Sequence, residues 1–445
     1  MVFVPYGAEA LGRRPYVTWA LIAANVAVYV MTSYNSFLLQ TDQWAIERFG
    51  YVPGIQDPLQ LAFRALASMF VHADILHIAF NMYFLYVFGR AVEGFLGRAK
   101  YAALYFLSGL AAIAFYTGTV PLAGYYSLLV PAVGASGAIS GVLGAYFLLF
   151  SRSRLSICGL ILLFPLCVAL PAWAFLLLWF AEQVLYGLMR LGGVAYFAHV
   201  GGFVLGLAVA FFAERRREGE YRAGGLEELI RELQGLGHRP AVQSLSGAAK
   251  AALVALLALS LVAAAYSMAQ VVAHGDVYYL SVDVGGSSDV VTLAVRDHSV
   301  DVYRDSPADY VRILLNRLPN SFFYNASACG ASLELDGTYD VIVGGLSVPV
   351  TLRAHAEYYP SCAIEFAQGT MSSRVVTLTQ YGYSYGQWFT VNFSMRSTMF
   401  TGWWFLGATA LVSTALSAIS IACVAAYRPR RFEELPRTPI GYTYM

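Results

Sequence analysis

The chain has 445 residues, of which 58% are hydrophobic and only 12% are charged. Soluble globular domains carry about twice that share of charged residues, so the composition excludes an ordinary soluble protein and indicates several membrane spans. The formal net charge of +1 gives no reason to expect a nucleic-acid partner. The five cysteines show no CxxC spacing and no Cys/His metal pattern, so we expect neither a metal nor another cofactor.

Eight apolar runs follow one another along the chain. Each is predicted to form a helix that crosses the lipid bilayer, which takes about 20 mostly apolar residues. No short apolar segment with a small-residue cleavage site precedes them, so we expect the first run to remain as an anchor. The runs lie at residues 16–34, 75–96, 101–121, 135–150, 159–187, 196–213, 249–273 and 399–427.

Basic residues cluster at one end of these runs. The clusters lie near residues 13–14, 90–100, 152–154, 215–217 and 428–431. Because cytoplasmic loops of membrane proteins are enriched in Lys and Arg, we expect all five clusters, and both chain termini, on the cytoplasmic side of a cell membrane. The same rule places residues 274–398 outside the cell.

These features predict an all-α membrane core followed by a second module. The core has six transmembrane helices, and the second module has two further transmembrane helices that flank an external, mainly-β domain. The predicted parts are the core at 1–213, a cytoplasmic linker with a short amphipathic helix at 214–248, helix seven at 249–273, the β domain at 274–398, helix eight at 399–427 and a cytoplasmic tail at 428–445.

The segment 274–398 alternates apolar and polar residues between Gly, Asp, Asn and Pro turns, which is typical of strands with one buried face. Glycosylation sequons at Asn325 and Asn392 fall in this segment and weakly favour an external location. Its only two cysteines, Cys329 and Cys362, are able to pair in an oxidising exterior. The spacing alone leaves open whether they form a disulfide.

Three of the seven histidines, His72, His77 and His199, lie in or next to the first six runs. Ionisable side chains are costly inside a bilayer, so they are functional candidates there. A small-residue run at 134–141 contains Ser136. A neutral imidazole within hydrogen-bond reach can take the proton of a serine hydroxyl and make it nucleophilic, so Ser136 and His199 are the candidate nucleophile and base.

The depths of these two residues in the membrane are predicted to agree. Ser136 lies 15 residues before the polar position Ser151, and His199 lies 15 residues before Glu214. At about 1.5 Å per residue both lie about 22 Å from the cytoplasmic end of their helices, which is about 8 Å below the outer edge of a hydrocarbon core about 30 Å thick. Since no Asp or Glu lies at that level of either run, a serine–histidine dyad is favoured over a triad.

His77 and Asn81 are four residues apart and share one helix face. We predict that both donate hydrogen bonds to an oxyanion, together with backbone N–H groups at the start of the fourth helix. Five glycines should let the fourth and sixth helices approach closely, and these are residues 137, 141, 144, 202 and 206. Gly134 leaves room for an extended substrate beside the serine.

Each feature alone also has an ordinary structural interpretation. Small-xxx-small patterns usually reflect helix packing only, and a single membrane histidine can pair with a backbone carbonyl. His72 and His77 have a poor spacing for shared metal ligation on a helix. His77 lies 13 residues before Arg90, about 20 Å from that end of its helix. What favours catalysis is that a serine and two histidines occur at a common depth on three helices.

Four motifs lie along the first six runs: HADILHIAFN at 72–81, FGRAVEGFLG at 88–97, GASGAISG at 134–141 and AHVGGFVLG at 198–206. Together they resemble the rhomboid family of intramembrane serine proteases. The resemblance covers roughly residues 16–213. It implies a six-helix fold that hydrolyses transmembrane protein substrates, with water reaching the site from outside and substrate entering sideways near the second and fifth helices.

Carried over by motif position, the resemblance implies that Ser136 is the nucleophile and His199 the base, and that His77 and Asn81 are the oxyanion donors. It also implies a supporting role for His72, and a structural role for Glu93 at the cytoplasmic end of the second helix.

Other functions stay open at this point. An inactive rhomboid-like protein would bind or retain membrane clients, but such proteins generally lack the serine or the histidine. A transporter or channel would need paired charges or interrupted helices at the midplane, which the sequence does not suggest. The sequence does not predict the oligomeric state.

Overall fold

The computed structural model describes residues 4–6, 14–151, 153–161, 164–191, 193–233, 245–272, 275–296, 299–343, 345–379 and 382–427. The predicted tail at 428–445 and residues 234–244 of the predicted linker lie outside the described residues, as do the basic positions 13, 152 and 428–431. The helices are α1 Tyr16–Ser33, α2 Gln43–Phe49, α3 Pro58–Ala67, α4 Ile75–Leu96, α5 Arg98–Gly118, α6 Val120–Ala123, α7 Ser136–Leu149, α8 Ala172–Leu188, α9 Tyr196–Leu233, α10 Gly247–Val272, α11 Asp309–Arg317, α12 Asn320–Phe323 and α13 Trp403–Ala426.

The strands form two sheets. They are β1 Val4–Tyr6, β2 Arg154–Ile161, β3 Phe164–Pro171, β4 Asp276–Val284, β5 Ser287–Arg296, β6 Ser299–Val302, β7 Ser332–Val343, β8 Leu346–Tyr358, β9 Ile364–Thr379 and β10 Gly382–Met399. The small sheet has the order β1-β2-β3, and the large sheet has the order β6-β5-β4-β10-β9-β8-β7.

Within the described part of the chain, six helices are long and apolar enough to cross a membrane. They are α1 with the short turn that follows it, α4, α5, the first 21 residues of α9, α10 and α13. Two further apolar helices, α7 with 14 residues and α8 with 17, are shorter. This set of apolar helices makes the chain a membrane protein.

The predicted fifth span, residues 159–187, is wrong in its first half. Residues 154–161 and 164–171 pair as the antiparallel strands β2 and β3, and the helix begins only at Ala172. Pro165 and Pro171 lie inside the predicted span. Proline lacks an N–H and clashes with the preceding turn of a helix, which explains why α8 starts directly after Pro171.

The predicted break after the sixth span is also absent. α9 continues from Tyr196 to Leu233 as one helix of 38 residues, so the separate short helix expected in the linker is the extension of the sixth span. Residues 214–233 contain no proline and are rich in Glu, Arg and Leu. These residues are strong helix formers, and the helix continues through the three glycines at 219, 224 and 225.

The helix α7 lies at the centre of the bundle. All residues from Gly137 to Leu149 are buried, and α7 contacts α4, α5, α8 and α9. Because protein rather than lipid surrounds it, α7 does not need the length of a lipid-exposed span.

Glycines bring α7 and α9 into backbone contact. A Cβ atom on Gly202 would lie 2.0 Å from the carbonyl oxygen of Gly137, and one on Gly206 would lie 2.0 Å from that of Gly141. Both pairs advance by four residues along the two helices, so α7 and α9 run parallel. This close approach is possible only without side chains at these positions.

The helices α10 and α13 pack on each other, and α13 also packs on α5 and α9. A Cβ on Gly118 of α5 would lie 2.7 Å from the backbone nitrogen of Ala410, and Ser420 Oγ donates to the Val204 carbonyl at 2.8 Å. The Lys250 ammonium donates to the last carbonyls of α13, including that of Ala425 at 2.8 Å. The second module is therefore joined to the core through helix packing.

The large sheet is antiparallel throughout, and its first strand β4 pairs with its last strand β10. This pairing returns the chain to the membrane helices, since β4 follows α10 and β10 precedes α13. The helices α11 and α12 cover one face of the sheet and bury Leu314 and Phe323 against Tyr278 and Val282. The prediction that this segment is mainly β is thus confirmed.

The β domain also contacts the loops at one end of the bundle. Tyr303 stacks on Tyr126 with ring centroids 3.6 Å apart, and the Tyr279 hydroxyl donates to the Gly54 carbonyl at 3.1 Å. Gly54 and Leu128 are joined by a backbone hydrogen bond of 2.8 Å. These loops include the segment that leads directly into Ser136, so the β domain lies at the end of the bundle where α7 begins.

The α7–α9 contact generates a stability prediction. Gly206→Ala places a methyl group inside the van der Waals radius of the Gly141 oxygen, so the helices must separate. We expect a loss of about 1–3 kcal/mol of stability, measured as a melting temperature of the purified protein lowered by several degrees.

Gly407→Ala is the matched control on α13. There the new Cβ would meet only Val271 Cγ1, at 3.6 Å, which is an ordinary contact, and alanine favours a helix over glycine. An equal change in melting temperature for both variants would contradict the close-contact explanation.

Candidate active site

Ser136 and His199 are in direct contact. His199 Nε2 lies 2.8 Å from Ser136 Oγ, within hydrogen-bond distance. Ser136 is the first residue of α7, and His199 lies in the first turn of α9. Because the glycine contacts hold these two helices parallel and close, the starts of both helices meet at the same level of the bundle.

The other ring nitrogen of His199 has a partner on a third helix. Gln183 Oε1 lies 2.7 Å from His199 Nδ1, and the Gln183 side chain belongs to a residue that is only 5% exposed. Trp179, one turn earlier on α8, has its ring centroid 6.0 Å from that of His199. Two residues on one face of α8 thus lie against the imidazole.

Gln183 is not among the site residues predicted from the sequence. An acidic third member was expected only on the fourth or sixth helix, whereas the partner is a neutral amide on the fifth. The usable signal was a single glutamine within the apolar stretch around residues 172–188, since a polar side chain in a membrane helix needs a hydrogen-bond partner.

His77 is held in the tautomer that carries a proton on Nε2. The Ala73 backbone N–H donates to His77 Nδ1 at 3.3 Å, so in the neutral ring Nε2 bears the hydrogen and is a donor. Asp74 caps α4 by accepting from the His77 backbone N–H at 2.9 Å, which orients the first turn of α4. The donor nitrogen of His77 faces Gly134, next to Ser136.

Gly134 is required by both its conformation and its neighbours. Its φ is +120°, and a Cβ there would lie 2.7 Å from His77 Nε2 and 3.8 Å from Ser136 Oγ. Side-chain-bearing residues rarely adopt such a φ. The absence of a side chain therefore leaves a space between the His77 donor and the serine hydroxyl.

His72 is buried and holds the loop in front of α7. Its Nε2 accepts from the Ala135 backbone N–H at 3.4 Å, and its Nδ1 lies 3.3 Å from the Phe70 carbonyl. Burial, with nearby His77 as a smaller cause, lowers the pKa of His72 to about 3, so its ring is neutral at physiological pH. His72 packs edge-to-face on His77, with centroids 5.1 Å apart, and supports both the loop and that ring.

Asn81 is 7% exposed and lies one turn after His77. Its Nδ2 donates to the His77 backbone carbonyl at 2.9 Å. An amide nitrogen carries two hydrogens, so this bond uses one of them. The structure therefore fixes Asn81 against α4 itself, on the same helix face as His77.

Glu93 joins α4 to the start of α1. Its carboxylate accepts from the backbone N–H groups of Val17 at 3.0 Å and Thr18 at 2.8 Å, and from the Thr18 hydroxyl at 2.8 Å. A carboxylate at a helix N-terminus satisfies the unpaired N–H groups and the helix dipole. Glu93 thus stabilises the packing of two helices at the end of α4 far from His77.

The cysteines Cys329 and Cys362 form a disulfide in the β domain. It joins the segment after α12 to the turn between β8 and β9. Among the described residues, no group of three or more His, Cys, Asp or Glu side chains is arranged to hold a metal ion.

The fold and this site define a class: a helical membrane protein with a serine and a histidine in contact inside its bundle. Residues 60–216 match the family model of the Rhomboid domain. The chain therefore contains a Rhomboid domain at residues 60–216.

Several named relatives share this part of the chain. Rhomboid protein 1, mitochondrial, of Saccharomyces cerevisiae is 28% identical over 213 residues, covering 47% of this chain and 58% of the relative. Rhomboid protease GlpG of Salmonella paratyphi A is 28% identical over 216 residues, covering 46% of this chain and 66% of the relative. The human presenilin-associated rhomboid-like protein, mitochondrial, is 32% identical over 138 residues, covering 31% and 34%.

The geometry of Gly134 generates a prediction with a built-in control. Gly124 also has a positive φ, of +110°, but a Cβ there would meet nothing within 4 Å. Alanine at either position strains the backbone by about 1–3 kcal/mol, whereas only Gly134→Ala also collides with His77. We expect the melting temperature to fall further for Gly134→Ala than for Gly124→Ala, and equal falls would show that the His77 contact has no energetic weight.

Proposed function

We propose that this protein is an intramembrane serine endopeptidase that hydrolyses peptide bonds in or near the transmembrane segments of other membrane proteins. The observation that carries the proposal is the 2.8 Å contact between Ser136 Oγ and His199 Nε2, in a chain that contains a Rhomboid domain. The printed names of two relatives, the rhomboid proteases GlpG and GluP, support the same chemistry.

In the proposed reaction Ser136 Oγ attacks the carbonyl carbon of the substrate peptide bond while its proton moves to His199 Nε2. The carbonyl oxygen becomes an oxyanion, and the Nε2–H of His77 with backbone N–H groups at the start of α7 stabilises it. The tetrahedral intermediate collapses, the C–N bond breaks, and His199 gives its proton to the leaving amine. Water then attacks the acyl-enzyme by the same route and releases the carboxylic acid and free Ser136.

The arrangement of the two helices favours an active enzyme over an inactive client-binding protein. Serine and histidine are both present and in contact, His77 presents a donor, and Gly134 leaves space beside them. A protein that only retained clients would need none of these contacts. The proposed partners are therefore transmembrane protein substrates within the lipid bilayer.

The proposed orientation places both termini in the cytoplasm and the β domain outside a cell membrane. The five basic clusters support it. Since the β domain contacts the loops that lead into Ser136, this orientation also places the site at the external end of the bundle, where water can reach it. We propose that the β domain lies over this end and limits the directions from which substrates approach.

The test is cleavage of a model transmembrane substrate by the purified full-length protein, with fluorophosphonate labelling of the serine as a second readout. Ser136→Ala and His199→Ala should each reduce cleavage by at least about 10³-fold, because the two groups act as a unit. Ser413→Ala, a buried serine of α13, and His355→Ala, on the β domain, are the matched controls and should cleave normally. Equal product from all variants would exclude the Ser136/His199 assignment.

Asn81 is proposed as a second oxyanion donor, through the amide hydrogen that its bond to the helix does not use. Asn81→Ala should then lower kcat by about 10²-fold and leave KM nearly unchanged, because the oxyanion exists only in the transition state.

The control for this variant is Asn25→Ala. Asn25 is buried on α1 and donates to the carbonyl of Leu21, four residues earlier, at 2.8 Å, which is the same contact that Asn81 makes with His77. If both variants show the same small change in kcat, the role of Asn81 is structural only.

A further inference from the structure

We propose that Gln183 is a positioning residue that sets the tautomer and the orientation of His199. This inference rests on the proposed function, because it concerns how the histidine acts as a base. It adds a third helix, α8, to the two that carry the serine and the histidine.

The proposed reaction determines which ring nitrogen of His199 carries the hydrogen. For His199 to accept the serine proton, Nε2 must hold a lone pair, so in the neutral ring the hydrogen must be on Nδ1. The group facing Nδ1 at 2.7 Å is the Gln183 side-chain oxygen, which is an acceptor and favours this tautomer. If the Gln183 amide nitrogen were there instead, its N–H would face the Nδ1–H of His199, and two donors would meet with no acceptor.

The helix α8, which carries Gln183, packs tightly against α9. Phe180 of α8 stacks on Phe203 of α9 with ring centroids 4.4 Å apart, and a Cβ on Gly187 would lie 2.9 Å from the ring of Phe197. These contacts fix how α8 and α9 lie against each other. Gln183 therefore approaches His199 at a set distance, with Trp179 against the ring one turn away.

The neutral amide of Gln183 also suits the charge that His199 gains during the reaction. When His199 takes the proton from Ser136 Oγ, the ring becomes an imidazolium with hydrogens on both nitrogens, and the Gln183 oxygen continues to accept from Nδ1. A carboxylate would stabilise that charge more, but burying an ionised carboxylate among membrane helices is costly. A neutral amide supplies direction to the imidazole without that cost, which suits a residue that is 5% exposed.

The alternative is that Gln183 only fills space between α8 and α9. The two roles differ in what they require of the side chain. Packing requires volume, which leucine and methionine supply, whereas tautomer control requires an acceptor, which glutamate supplies and leucine does not.

The experiment compares Gln183→Leu, Gln183→Met and Gln183→Glu with wild type at mildly alkaline pH, using the full-length protein. For the leucine and methionine variants we expect kcat and the rate of fluorophosphonate labelling to fall about 10- to 100-fold, with KM within about threefold of wild type. Gln183→Glu keeps the acceptor and should recover most of the lost rate. Melting temperatures identify any variant that does not fold.

Folded leucine and methionine variants that label and cleave at the wild-type rate would overturn the inference, and so would a folded glutamate variant that stays as slow as they are at a pH where its carboxyl group is ionised. Failure of the proposed function looks different. In that case wild type neither cleaves nor labels, and it matches Ser136→Ala.

Discussion

The structure depends on the backbone contact between α7 and α9. Two glycines on each helix let a carbonyl of one lie where the side chain of the other would be, at Gly137 with Gly202 and at Gly141 with Gly206. In a membrane no hydrophobic effect drives helices together, so close van der Waals packing of small residues supplies much of the association energy. The same contact sets the distance between the first turns of both helices, and with it the 2.8 Å between Ser136 and His199.

The site is built from neutral hydrogen-bonding groups rather than from ion pairs. Each of its three histidines has one ring nitrogen occupied by a specific partner: a backbone carbonyl for His72, a backbone N–H for His77 and the Gln183 amide for His199. A buried polar network of this kind rigidifies a structure when its members are satisfied. It also assigns a donor or acceptor role to the opposite nitrogen of each ring without placing a charge in the low-dielectric interior.

The second module is part of the same assembly. Its helices pack on α5 and α9, and its β domain reaches the loops at the Ser136 end of the bundle through Tyr279 and Tyr303. Separate backbone hydrogen bonds hold the loop before the serine: Tyr51 pairs with Ala132 in both directions, and the Gly134 N–H donates to the Ser68 carbonyl.

The membrane class, the family resemblance, the predicted pairing of Ser136 with His199 and the close helices could all be predicted from the sequence, because hydropathy, glycine spacing and motif order are properties of the chain. The sequence prediction was wrong about residues 159–161 and 164–171, where apolar composition outweighed two prolines. It was also wrong about the end of the sixth helix, where a polar boundary does not end hydrogen bonding along the backbone. Three features could be seen only in the folded structure: the role of Gln183, the tautomer of His77 and the position of the β domain at the Ser136 end of the bundle. Each of these depends on which side chains meet from elements far apart in the chain, and no local pattern records such a meeting.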